Sequence, residues 1–67
     1  MNYILVHEKP TGDIVLLNLD NVLCVGVNED NDTIVRFLGS SYGFPISETF
    51  GEIQDMISSL KRRGKHE

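Results

Sequence analysis

Apolar residues gather in five short runs and one longer periodic stretch, with polar clusters between them. Tyr3-Ile4-Leu5-Val6-His7 is a β-rich run bounded by Lys9-Pro10-Thr11-Gly12-Asp13. Proline fixes φ and glycine accepts a positive φ, so that boundary suits a tight reversal. Ile14 to Leu17 reads as a second strand, and Asn18-Leu19-Asp20-Asn21 then interrupts with side chains that favour turns. Val22 to Val27 is the third strand, Asn28-Glu29-Asp30-Asn31-Asp32 a polar hairpin loop, and Thr33 to Leu38 the fourth strand. Gly39-Ser40-Ser41 turns the chain into a short fifth strand, Tyr42 to Ile46. Pro45 donates no backbone hydrogen bond, which assigns that strand to a sheet edge or a bulge.

Beyond Ile46 the spacing becomes helical. Thr49 and Glu52 stand three apart, as in a capping box, where the hydroxyl serves one free N–H and the carboxylate reaches back to another. Phe50, Ile53, Ile57 and Leu60 recur on one face with Met56 beside them, and Glu52, Gln54, Asp55, Ser58 and Ser59 fall on the other. That pattern predicts an amphipathic helix of about three turns, with Gly64 as its stop. Together the elements predict an α+β fold: a small antiparallel β-meander of four to five strands with one C-terminal amphipathic helix. Residues 1–60 form the single domain, and residues 61–67 a basic, flexible tail.

The two middle strands do not alternate. A half-exposed strand places apolar and polar residues in turn, whereas Ile14 to Leu17 and Val22 to Val27 are apolar at both parities. One helix covers one sheet face, so the other face must close on itself or meet a second copy. A domain of this size buries only about 60% of its unfolded surface, and self-association is the expected remedy. The contact is expected at alternate positions, Val15, Leu17, Leu23 and Val25. The opposite parity is Ile14, Leu16, Val22 and Cys24, and a bulge at Gly26 would shift the register beyond it.

Charge narrows the partners. Residues 1–60 carry nine acidic and two basic side chains, and residues 61–67 carry Lys61, Arg62, Arg63 and Lys65 against Glu67. An acidic body disfavours nucleic acid, because phosphate contacts supply most non-specific affinity. The short basic run suits a helix C-terminus, or it forms an arm for an anionic partner. No apolar run reaches the ~18–20 residues of a membrane span, and no cationic stretch precedes an apolar run at the start of the chain, as a signal peptide would need. The single cysteine, Cys24, cannot form an internal disulfide, which fits a reducing, cytoplasmic setting.

Candidate chemistry reduces to structure at each position. Asn28, Asp30 and Asp32 begin like a calcium loop, but Thr33 stands where the glycine belongs and Gly39 where the final glutamate belongs. Gly39-Ser40-Ser41-Tyr42-Gly43 lacks the lysine of a phosphate-binding loop. Cys24 sits among aliphatic residues with no base nearby in sequence, His7 ends a strand, and Glu48, Glu52 and Asp55 suit a helix start. No catalytic residue, cofactor or metal is expected, and the chain is read as a non-enzyme.

Three stretches carry a family resemblance: Asn18-Leu19-Asp20-Asn21-Val22, Asp32-Thr33-Ile34-Val35, and Ile46-Ser47-Glu48-Thr49-Phe50-Gly51-Glu52-Ile53. In order and content the chain resembles the small FlbD-type proteins, from Leu5 to Leu60. It departs from them at Lys9-Pro10-Thr11-Gly12 and at Ser40-Ser41-Tyr42. The resemblance implies a short cytoplasmic protein, encoded near flagellar genes or within phages and mobile elements. The order of strands before the helix also resembles the first half of LytTR-type DNA-binding domains. The expected function is a non-catalytic interaction or scaffold module, self-associating and engaging a further, unknown protein partner. The alternative is a DNA-binding or phage and mobile-element regulatory accessory that uses Lys61, Arg62, Arg63 and Lys65.

Overall fold

Backbone hydrogen bonding divides five strands into two antiparallel sheets. The structure, a computed structural model, describes residues 2–64, with side chains through Lys61. Strands β1 (Tyr3–His7) and β2 (Ile14–Asn18) form one sheet. Strands β3 (Val22–Val27), β4 (Thr33–Phe37) and β5 (Gly43–Ile46) form the other in that order, and helix α1 (Phe50–Gly64) follows. The expected antiparallel strands and C-terminal helix are present, but the meander breaks between β2 and β3. There a single 3₁₀ turn, Leu19–Asn21, intervenes, opened by Asn18, whose Oδ1 accepts from the Asp20 N–H at 3.0 Å. Asparagine and aspartate offer the backbone a local partner in place of a ladder.

The two sheets meet at the end of β1. A bridge pairs Glu8 with Ile46, the Lys9 N–H donates to the Pro45 carbonyl at 3.1 Å, and the Ser47 N–H donates to the His7 carbonyl at 2.8 Å. Pro45 thus lies in the last strand of its sheet, as its missing N–H requires, and its carbonyl accepts from Lys9 just beyond β1.

Local chemistry shapes the connections. The β1–β2 reversal contains a cis Lys9–Pro10 bond and Gly12 at φ +80°, and the Gly12 N–H donates to the Glu8 carbonyl at 2.7 Å. In the β3–β4 loop the Asn28 side chain accepts from the backbone N–H groups of Asp30 and Asp32. Asn31 there adopts φ +66°, a left-handed geometry that asparagine tolerates.

Register decides what the sheets bury. Ile4 faces Leu17 and Val6 faces Val15 across the β1–β2 ladder, and these pairs point into the core. The core comprises Ile4, Val6, Leu17, Val35, Ile46 and Ile53, so every strand but β3 supplies a fully buried residue and α1 supplies one.

The helix begins with the expected reciprocal cap. The Glu52 N–H donates to Thr49 Oγ1 at 3.1 Å, and Glu52 Oε1 accepts from the Thr49 N–H at 2.8 Å. Thr49→Ala is expected to lower stability by about 1 kcal/mol, read as a shifted denaturant midpoint with unchanged slope. At its other end α1 is longer than the apolar stripe requires. It spans 15 residues to Gly64, so Lys61, Arg62 and Arg63 continue the helix where a flexible tail was expected. All three are good helix formers, and cations near a helix C-terminus interact favourably with its dipole. Lys65 lies outside the described residues.

Candidate interaction surface

Antiparallel partners share a sheet face, so the residues opposite the core pairs point outward together. On the β1–β2 hairpin these are Leu5 facing Leu16 and His7 facing Ile14. Ile14 is 67% exposed and Leu16 64% exposed, with Leu5 and Tyr3 beside them also exposed. The outer face of the hairpin is therefore an apolar patch.

That arrangement corrects the expected self-association set. Leu17 is 3% exposed and belongs to the core, and Val15 and Val25 pack against it. Leu17 is turned away from any partner, Val15 and Val25 are half-buried, and only Leu23 of the four is turned out, at 61% exposed. The physical cause in β3 is a bulge. Val22 pairs with Phe37 and Cys24 with Arg36, so Leu23 has no partner on β4. The extra residue falls there and not at Gly26. Val22 and Val25, three positions apart, consequently both pack inward, and simple alternation fails.

β3 is the terminal strand of its sheet, and among the described residues no strand pairs with its outer edge. Between β3 and α1 lies an open groove of about 600 Å³. Val22, Cys24 and Val25 line it from the strand, and Phe50, Ile57 and Leu60 from the helix. Lys61 sits at its rim and is the only charged residue among those lining it. Cys24 is exposed there as a free thiol. The helix stripe accounts for the groove: Ile53 is buried, while Phe50 on the same stripe is 39% exposed along the groove wall. The last turn of α1 carries Lys61, Arg62 and Arg63.

Two polar links brace the fold beside these surfaces. Glu48 Oε1 accepts from the His7 backbone N–H at 2.9 Å, and Glu48 Oε2 lies 2.6 Å from His7 Nδ1. An ionised carboxylate has no proton to give, so the Nδ1–H is the donor. Burial pushes the Glu48 carboxyl up, but the hydrogen bonds it receives from the His7 ring and backbone outweigh burial and hold it below its ordinary value. Lys9 Nζ meets Asp32 Oδ1 at 2.7 Å, tying the β1–β2 reversal to the β3–β4 loop. That pair is solvent-exposed and contributes at most about 1 kcal/mol.

Among the described residues no group of three or more His, Cys, Asp or Glu side chains could hold a metal, and no helix is long and apolar enough to cross a membrane. No family model matches the chain, and neither the curated proteins nor the solved structures yield a match.

Proposed function

We propose that this chain is a non-catalytic, self-associating interaction module that works through strand edges and exposed apolar strand faces. The observation that carries the proposal is the split personality of its strands. β2 buries Leu17 while exposing Ile14 and Leu16, and β3 packs Val22 and Val25 inward while exposing Leu23. Exposed apolar side chains scattered singly are ordinary, but adjoining ones mark contact sites. The order of turns and helix-start residues that resembles FlbD-type proteins is compatible with this role, and flagellar, phage or mobile-element neighbours of its gene would distinguish the settings.

Sedimentation velocity at micromolar concentration tests the proposal. A mass above the 7.5 kDa of one chain is expected; a stable monomer at that concentration would overturn it. Duplex DNA added at low salt is expected to leave the sedimentation unchanged, since residues 1–60 are strongly acidic. Binding whose log–log salt slope is steeply negative would instead favour the DNA-binding alternative through Lys61, Arg62, Arg63 and Lys65.

A further inference from the structure

Away from the apolar surfaces, we propose that the start of β4 and the start of α1 form a binding site for a phosphoryl oxyanion, taken as free phosphate or as a phosphorylated side chain. Two independent observations carry it: a buried hydroxyl that the chain does not pair, and a helix N-terminus whose cap leaves two N–H groups over.

Thr33 is the one buried polar residue among the described residues, at 4% exposed. It pairs with Val27 on one side and Ile46 on the other, and shares the inward parity of Val35. Valine has the same branched shape and would fill that position without a polar atom. Among the described residues no hydrogen bond reaches the Thr33 side chain, and none of their fully enclosed side-chain oxygens or nitrogens lacks a partner. The hydroxyl therefore opens onto space, and that space is a cleft of about 260 Å³ that Thr33 lines. Burying a hydroxyl without a partner costs stability, so the sheet alone supplies no reason for threonine here. A ligand in the cleft does.

Ser47, Phe50 and Gly51 line the same cleft from the entry of α1. The reciprocal cap uses the N–H groups of Thr49 and Glu52, and the Ile53 N–H donates to the Thr49 carbonyl at 3.0 Å. The N–H groups of Phe50 and Gly51 are the two left over in this first turn. Unpaired N–H groups at the positive end of a helix bind anions, and α1 spans 15 residues.

Charge and size select the ligand. Lys9 lines the cleft; its ammonium gives one hydrogen bond to Asp32 and has two further donors. Glu48 lines it too, but both of its oxygens already accept from His7. Two N–H groups, the hydroxyls of Thr33 and Ser47, and Lys9 are all donors, which suits a group with three strong acceptor oxygens. The cleft falls short of the ~300–1,000 Å³ of drug-sized ligand pockets, so it takes a phosphoryl group and leaves the rest of any larger ligand in solvent. The like charge of Glu48 holds the expected Kd on the order of 1 mM.

Amide NMR titration of the full chain tests the site, with inorganic phosphate and with a capped phosphoserine, at ionic strength matched by sodium chloride. Both are expected to shift the Thr33, Phe50 and Gly51 amides saturably, while chloride alone does not. Tighter phosphoserine binding would assign the site to a phosphorylated partner, and equal or weaker binding to free phosphate; each supports the oxyanion site. Thr33→Val is expected to remain folded by circular dichroism and to bind phosphate at least tenfold more weakly. Ser47→Ala, at an exposed position, is expected to weaken it about threefold. Shifts that never saturate, or that chloride reproduces, would overturn the proposal, as would a folded Thr33→Val with undiminished affinity. Should Thr33→Val fail to fold, Ser47→Ala decides, and wild-type affinity there removes the site. None of these outcomes depends on the oligomeric state.

Discussion

Ile53→Ala is expected to lower the thermal midpoint by more than about ten degrees. Ile53 is the one fully buried residue of α1 among those whose side chains are described, closing over Ile4, Val6, Leu17, Val35 and Ile46 from both sheets. Truncating a buried isoleucine removes its transfer free energy and leaves a cavity, at a cost of about 2–5 kcal/mol. A chain of this length is stable by only about 3–10 kcal/mol at the usual value per residue. In a domain so small each kcal/mol moves the midpoint by about 4–8 °C. Thermal unfolding followed by far-ultraviolet circular dichroism reads the effect, at one fixed chain concentration because association itself raises the midpoint. A shift below about 4 °C would mean that α1 is not anchored through Ile53. Phe50→Ala, on the same apolar stripe, is expected to cost clearly less, since Phe50 stands half out of the core along the groove.

The contrast between Ile53 and Phe50 marks where the sequence is informative and where it is not. Features set by neighbouring residues are legible. The Thr49–Glu52 cap, the Asn28 side chain bracing its own hairpin loop, the break at Asn18 to Asn21 and the edge position of Pro45 each follow from one side chain acting on backbone a few residues away. Features set by pairing across the chain are not. Parity in β3 depends on how β4 lies against it, and the bulge at Leu23 sets Val25 inward; in β2 the regular pairing with β1 places Val15 and Leu17 on the inner side. The stripe of α1 is visible as a period, but which of its residues meets the core depends on how the helix crosses β3. The apolar stripe ends at Leu60, whereas the further turn through Lys61, Arg62 and Arg63 is marked only by the expected stop at Gly64, where α1 ends. His7 and Glu48 are 41 positions apart, and each has a sufficient local explanation, one as the end of a strand and the other as an acid near a helix start. The bridge between Glu8 and Ile46 and the backbone hydrogen bonds beside it bring them together.

That pair supplies the second large effect, and its sign follows from proton binding. Glu48 is mostly buried and accepts hydrogen bonds from both the backbone and the ring of His7, so it fastens the end of β1 to the segment leading into α1. Charge-assisted hydrogen bonds of this kind contribute about 1.5–3 kcal/mol each when a partner is removed. Glu48→Gln keeps an acceptor but loses the charge, and is expected to destabilise the fold by about 1–2 kcal/mol near neutral pH. The folded carboxyl sits below the ordinary 4.5, because the His7 hydrogen bonds overcome the opposing effect of burial. Between the folded and unfolded values the unfolded chain binds more protons, so stability rises with pH in that window. The Glu48 contribution is therefore fully present above about pH 4.5 and is lost as the pH falls through the lower folded value. A protonated glutamic acid closely resembles glutamine in charge and size. The gap between wild type and Glu48→Gln should accordingly narrow on acidification from pH 6 to about pH 3, as both lose the carboxylate. Denaturant midpoints measured for the two chains across that range decide the matter. A gap that stays constant would show that Glu48 acts through shape alone, and a gap that widens would show that burial, not the His7 hydrogen bonds, sets its proton affinity.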